Sequence, residues 1–325
     1  MTVTCEELRD SAQKVFPDWE AARDPAHSWQ TISELGWFML GVPEDQGGLG
    51  AGRGELAVIF AECGRVLLPG AVIAQFLGVE ALAGAQDFAG RESLLEAAMA
   101  GELITTSLEH AGSDAALRCV PDADRARHVL VRQAGEIALV ALDGAEISQT
   151  PTWDLSRRLF DVTLAADARR TILASGDAAE ELGARLDGLL SLALAGDALG
   201  GGQALLTMTI DYLKDRRQFE RPLAMFQALK HRVANLKAAL VTAESLYYGR
   251  AGASTDAVAL GAMKAHACTA FRQIAEDAVQ LHGGVGLTAE YPVHLFLKRA
   301  LLDAALGGDA DYWEEQAGRQ ALAPA

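Results

Sequence analysis

The sequence predicts a fold that is mainly α with a small β domain: an N-terminal helical domain, a reduced middle β-sheet and a C-terminal four-helix bundle. Composition is the first observation behind this. Half of the 325 residues are hydrophobic but only 6% are aromatic. The apolar mass is mostly Ala, Leu and Val, a mixture that favours closely packed helices over a β-sandwich. Periodicity is the second. Phe226, Leu229, Val233, Leu236, Leu240, Ala243 and Tyr247 recur at spacings of three and four, the pattern of a bundle seam. The third is that β-rich segments are confined to the middle, which divides the chain into 1–105, 106–170 and 171–325.

In the first part, Ile32, Leu35 and Gly36 with Trp37 mark a helix ending near GW. The glycine-dense loop Val42 to Gly52 follows, opened by the helix breaker Pro43. Leu56, Ile59, Phe60, Cys63 and Val66 then repeat at helical spacing before Pro69, and the last helix-like segment is Glu92 to Ala100. The middle part holds the strand candidates HVLVRQ (His128 to Gln133), EIALVALDG (Glu136 to Gly144) and LFDVTLA (Leu159 to Ala165). From Ala178 three long helical patterns follow. Gly200, Gly201 and Gly202 lie inside the first. Each costs about 1 kcal/mol against Ala in a helix, so close helix contact or a kink must recover the loss. The second is the seam above, with Pro222 suited to its first turn. The third runs through Met263, Ala267, Ala270, Ile274 and Leu281 and stops at glycines, and Pro292 begins a last amphipathic stretch through Leu295, Leu297 and Leu301.

Several function classes are disfavoured. No apolar run approaches the ~20 residues of a membrane span, and the polar start MTVTCEELRDSAQ reads as neither signal nor transit peptide. Cys5, Cys63, Cys119 and Cys268 are scattered, as expected of inert thiols in a cytoplasmic chain. A formal net charge of −16 argues against nucleic-acid binding. His110, His128, His266 and His294 show no metal-ligand spacing, so no metal site is expected. Neither GxSxG nor a P-loop is present.

Two segments carry the chemistry. Tyr212 to Arg232 places Arg216, Arg217, Arg221, Lys230 and Arg232 in one stretch of an acidic protein. Such a concentration suggests a bound anion, with a polyphosphate cofactor the obvious candidate. QLHGGVG puts Gly283, Gly284 and Gly286 where a backbone turns sharply or approaches something closely. A plainer reading of Arg216 and Arg217 is that they cap a helix C-terminus. His231 and His282 fit either a cofactor cleft or helix-end roles.

Together these segments resemble the C-terminal signature of flavin-dependent acyl-CoA dehydrogenases. ELGWFMLGVPEDQGGLG, AECGRVLLPG, SLEHAGSD and PTWDLSRRLFDV resemble further motifs of that family, in its order. The resemblance implies FAD contacts from Arg216, Phe219, Gln227, Gln280, Gly283 and Gly284, made to the cofactor of a neighbouring subunit. Three departures accompany it. Glu220 replaces the family's Gly. The WIT-type segment that lies against the flavin ring is missing. The family's catalytic Glu falls on Gly307 or Gly308 if counted from Lys298 and Arg299, or near Leu190 if counted back from Tyr212. Asp309 and Asp311 lie close by, on what reads as a solvated loop.

The resemblance therefore implies a non-catalytic subunit that completes the FAD site of a Glu-bearing catalytic acyl-CoA dehydrogenase subunit. The expected complex is α2β2, acts on a bulky or steroid acyl-CoA, and has electron-transfer flavoprotein as a possible acceptor. A homomeric flavoprotein oxidase or hydroxylase and a flavin-free binding module are the alternatives.

Overall fold

The computed structural model describes residues 4–109, 116–133, 135–253 and 256–322. The His110 to Asp114 portion of the SLEHAGSD motif lies outside them. Helices α1 (Cys5–Val15), α2 (Trp19–Ala22), α3 (Pro25–Glu34), α4 (Arg53–Arg65), α5 (Val72–Ala83) and α6 (Arg91–Met99) form the first part. Local chemistry sets their ends. Thr4 and Glu7 make a reciprocal capping box on α1, and Asp24 caps α3 with Pro25 in its first turn. Gly36, at φ 71°, turns the chain out of α3. Helices α4 and α5 are buried nearly all round, as suits the centre of a layered fold.

The middle part contains two sheets rather than the single small one expected. Strands β1 (Ile104–Thr106), β3 (His128–Gln133), β4 (Glu136–Ala141) and β7 (Arg170–Ser175) make one, in the order β1-β3-β4-β7. Strands β2 (Ala116–Pro121), β6 (Leu159–Thr163) and β5 (Glu146–Thr150) make the other. Strand structure thus begins before residue 106 and continues past 170. Period-two alternation explains the layering. Val129, Val131, Ala138 and Val140 point to a core shared with Val120, Phe160 and Val162 of the second sheet. Leu130, Ile137 and Leu139 point the other way, into the main helical core.

Helices α7 (Asp177–Asp215), α8 (Gln227–Ala251), α9 (Ala257–His282) and α10 (Val293–Ala305) form the bundle, and α11 (Ala310–Leu322) is added to it. α7 is its spine, lying against both α4 and α9. By length and composition α7 could cross a membrane, but 89% of its apolar window is buried inside the fold. Its glycines answer the energetic question they pose. A Cβ on Gly200 would collide with the Ala61 carbonyl of α4, and one on Gly201 would meet the Phe271 ring at 2.5 Å. Close helix contact, not a kink, recovers their cost.

The second helix starts later than the sequence suggests. Pro222 belongs to a two-stranded hairpin, β8 (Arg217–Gln218) and β9 (Arg221–Pro222), and a 3-10 turn at Leu223–Met225 precedes α8.

Candidate cofactor-binding site

The hairpin grows directly out of α7. Arg216 is the helix's C-cap residue: its N–H donates to the Tyr212 carbonyl at 2.8 Å, and its own carbonyl accepts from Leu223 N–H at 2.8 Å. Phe219 (φ 52°) and Glu220 (φ 64°) form the tip. A two-residue hairpin with both φ values positive normally takes Asn and Gly. The tip lies against the start of α8, with the Phe219 and Phe226 rings 6.1 Å apart and the Arg221 guanidinium 4.0 Å over Phe226. Phe219 is nevertheless 84% exposed. Gln227 is exposed too, its Nε2 2.9 Å from His231 Nε2 one turn on.

The end of α9 faces the same region. Gly283, at φ 63°, turns the backbone off the helix, and a Cβ on Gly283 or Gly284 would enter open space. Gly283 is thus explained by its conformation. Gly284 is explained by nothing among the described residues, which is the property expected of a cradle for an outside group. Arg216 and Gly284 share a cavity of about 490 Å³ with Tyr212, Asp215, His282, Glu290 and Tyr291. Among the described residues no partner holds the Arg216 side chain. Phe219, Gln227, Gln280 and Gly283 are exposed and do not line this cavity.

The five basic residues do not gather round one anion. Arg217 donates to the Glu220 carbonyl, Arg221 sits on Phe226, and Arg232 Nε donates to Asp277 at 2.9 Å. Of the five, Arg216 alone lines the cavity.

The positions expected for the base converge in space. Gly307 (φ 65°) and Gly308 (φ 85°) form the turn between α10 and α11. A Cβ on Gly307 would lie 2.7 Å from Leu194 Cδ1 and 3.4 Å from Leu190 Cδ2. Leu190 is 7% exposed, and the turn is held by Leu108 O, the Trp313 indole and the buried Lys264 ammonium. No carboxylate occupies either position. Asp309 and Asp311 are solvent-exposed as expected, but they open a helix: Asp309 Oδ1 accepts from Tyr312 N–H at 2.9 Å and so caps α11, whose first turn contains Asp311.

Sequence reasoning overlooked a buried lattice of charges. Arg299, Asp154, Arg157, Asp197 and Asp303 are all at most 6% exposed. Arg299 donates to Asp154 (2.6 Å), Asp197 (3.1 Å) and Ser156 Oγ (2.6 Å), and Arg157 reaches Asp303 (2.5 Å) and Asp197 (2.9 Å). This joins the PTWDLSRR segment to α7 and α10. Burial alone would raise all three carboxyls, but the arginines hold Asp154 and Asp197 below the usual range. Asp303 stands well above it, through burial and the neighbouring Asp197 charge. Three carboxyls face two guanidiniums, and Asp303, whose Oδ2 has no hydrogen-bond partner among the described residues, is the one pushed towards its neutral form. A lone Asp inside the apolar run LALAGDALG was the available signal.

These features define a class. The acyl-CoA dehydrogenase C-terminal domain matches residues 191–322 and the N-terminal domain residues 3–102. The chain belongs to the acyl-CoA dehydrogenase family. It is 30% identical over 291 residues to the acyl-CoA dehydrogenase IpdE2 of Mycolicibacterium smegmatis, covering 89% of this chain and 86% of that protein. Among solved structures, the Tcur3481-Tcur3483 steroid ACAD G363A variant superposes with a TM-score of 0.85 at 25% identity, covering 97% of this chain and 96% of that one. The ChsE4-ChsE5 complex from Mycobacterium tuberculosis does so at 0.86 and 22%, over 100% and 99%.

Proposed function

We propose that this chain is a subunit of an FAD-dependent acyl-CoA dehydrogenase that supplies no catalytic base and instead completes the cofactor site of a Glu-bearing partner in an α2β2 complex. The observation that carries this is the meeting of Leu190 and Gly307 without a carboxylate. α,β-Dehydrogenation needs a base within hydrogen-bond reach of the α-proton, and at this place the chain offers a leucine and a turn.

The residues present fit the flavin nucleotide in outline. Arg216 would meet a phosphate oxygen with a charge-assisted hydrogen bond. Gly284 would let the backbone approach it, and Phe219 would give an apolar face. When bound, FAD accepts the hydride removed from the acyl chain. This chain's part is to bind and orient the cofactor and to shield it from water. Phe219, Met225 and Leu287, which are 84%, 56% and 67% exposed, supply apolar surface on that side for a partner to cover. The two-chain assembly and steroid acyl-CoA class named for the Tcur3481-Tcur3483 structure support a bulky acyl-CoA as substrate. Electron-transfer flavoprotein as acceptor and a cytoplasmic location complete the proposal.

Separate purification and co-expression with candidate Glu-bearing acyl-CoA dehydrogenase subunits test it. Flavin and acyl-CoA turnover confined to the co-purified complex are expected. Turnover by a homomer of this chain alone would overturn the reading in favour of a homomeric flavoenzyme, and absence of flavin in both preparations would favour a binding module.

A further inference from the structure

The cavity shared by Arg216 and Gly284 has an uneven chemistry. Its cation is Arg216. The remaining polar side chains supply mostly acceptors: the carboxylates of Asp215 and Glu290, the phenol oxygens of Tyr212 and Tyr291, and His282. His282 is 3% exposed, and its Nδ1 lies 2.8 Å from the Ala278 carbonyl. Nδ1 must therefore carry the proton, which leaves Nε2 with a lone pair. Nε2 is buried and has no partner among the described residues. The ring is fixed between Tyr212, stacked at 4.3 Å, and Tyr291, tilted at 5.6 Å. Burial also lowers the imidazole's affinity for a proton, the Ala278 carbonyl offsetting this only in part, which keeps it neutral.

Such a cavity repels phosphate everywhere except beside Arg216. It suits a ligand with an anionic tail and an uncharged body rich in hydroxyl and amino donors. At about 490 Å³ it falls within the ~300–1,000 Å³ of small-molecule sites. Adenosine 5′-diphosphate has this character, with a ribose diol and exocyclic amine to donate and a ring to set against tyrosine. Acidic side chains are the usual readers of a free ribose diol.

Both molecules that the proposed function brings to the complex contain this unit, but they differ at one atom. FAD carries a free 2′,3′-diol, whereas coenzyme A carries a 3′-phosphate. We infer that Asp215, Glu290 and His282 make this cavity a selector for the adenosine end of FAD, accepting from its free diol and amine and excluding the 3′-phosphorylated end of coenzyme A. This rests on the cofactor reading above and adds to it the residues that tell the two nucleotides apart.

The test uses the full complex after removal of flavin. ADP and adenosine 3′,5′-bisphosphate are each titrated by calorimetry and then used to compete with FAD rebinding. ADP is expected to bind and compete at least roughly tenfold better than the bisphosphate, the loss typical of one hydrogen bond to a charged group. The double variant Asp215→Asn, Glu290→Gln should weaken ADP and bring the two ligands within about twofold. Any bisphosphate binding that the double variant leaves unchanged, and that does not displace FAD, belongs to the acyl-CoA site and leaves the expected preference intact. Equal competition by both ligands in the unsubstituted complex overturns the selector while the cofactor reading stands. ADP preference without FAD rebinding overturns the cofactor reading and the selector with it, as does failure of both ligands to bind.

Discussion

The buried lattice around Arg299 and the exposed rim around Arg216 are two ways of placing arginines in one acidic chain. In the lattice both arginines are paired with carboxylates of the same molecule, and the third carboxyl, Asp303, is pushed towards its neutral form. At the rim the guanidinium faces a cavity unpaired, a glycine stands where no local contact demands one, and a phenylalanine points into solvent. The lattice is a finished structure. The rim has the features of a site whose remaining atoms come from elsewhere. Substitutions in the two regions should therefore separate stability from binding.

The largest effect is expected at Arg299. Removing it strands Asp154 in the core and leaves Asp197 with Arg157 alone, and breaking a buried pair in this way costs about 3–5 kcal/mol. Arg299→Ala should lose that much in urea denaturation, or fail to accumulate as folded protein. A loss below about 1 kcal/mol, the range of exposed pairs, would mean that water reaches the lattice.

Arg216→Ala should do the opposite. The fold is expected to be unchanged, while FAD retention by the complex falls about tenfold to a hundredfold, as for a lost charge-assisted bond of roughly 1.5–3 kcal/mol. Unchanged flavin affinity would reduce Arg216 to a helix cap and remove the contrast between the regions.

That contrast also explains what the sequence could disclose. Patterns of repeated spacing were legible: the bundle seam from Leu229 to Tyr247, though not Phe226, which packs on the hairpin, and β3 and β6 follow from periods of 3.6 and 2. Strands β2, β5 and β7 were not, because RTILAS and EISQT lie partly exposed at sheet edges and lack an apolar alternation. At the site, the types Arg216 and Gly284 were readable, since charge and chain flexibility are properties of single residues. Their shared cavity with Glu290 and His282 was not. Nor was the closeness of Leu190 to Gly307, which depends on how α10 packs along α7. The lattice was hidden for the same reason, its members being scattered from Asp154 to Asp303.

Asp303 gives the lattice a signature in pH. Its folded pKa lies well above its unfolded value, so folding takes up a proton wherever pH lies between the two. Stability from this group is full below the unfolded pKa and declines as pH rises, by up to about 1.4 kcal/mol per pH unit. Asp154 and Asp197, with lowered values, act in the opposite sense and only at acidic pH. Asp303→Asn stays neutral and can still donate to Asp197, so it should fold and lack the decline as pH rises above the ordinary carboxylate range. Parallel stability profiles for the variant and the parent above that range would assign the decline to another group.

The smallest effect concerns Glu220, where both themes meet. Its φ of 64° lies in the left-handed region that costs an ordinary residue about 1–2 kcal/mol, and its carboxylate stands in the hairpin that follows Arg216. Glu220→Gly removes both burdens. Arg217 bonds to the Glu220 backbone carbonyl and not to its side chain, so the hairpin keeps that contact. Part of the relief is offset by the greater freedom of glycine in the unfolded chain, leaving an expected gain of about 1 kcal/mol. The denaturation midpoint should rise with an unchanged slope, and FAD should bind somewhat more tightly. Glu220→Ala separates the two causes, because it removes the charge and keeps the strain. If alanine stabilises as much as glycine, the tip is limited by electrostatics; if only glycine does, the backbone conformation is what this chain tolerates at the hairpin.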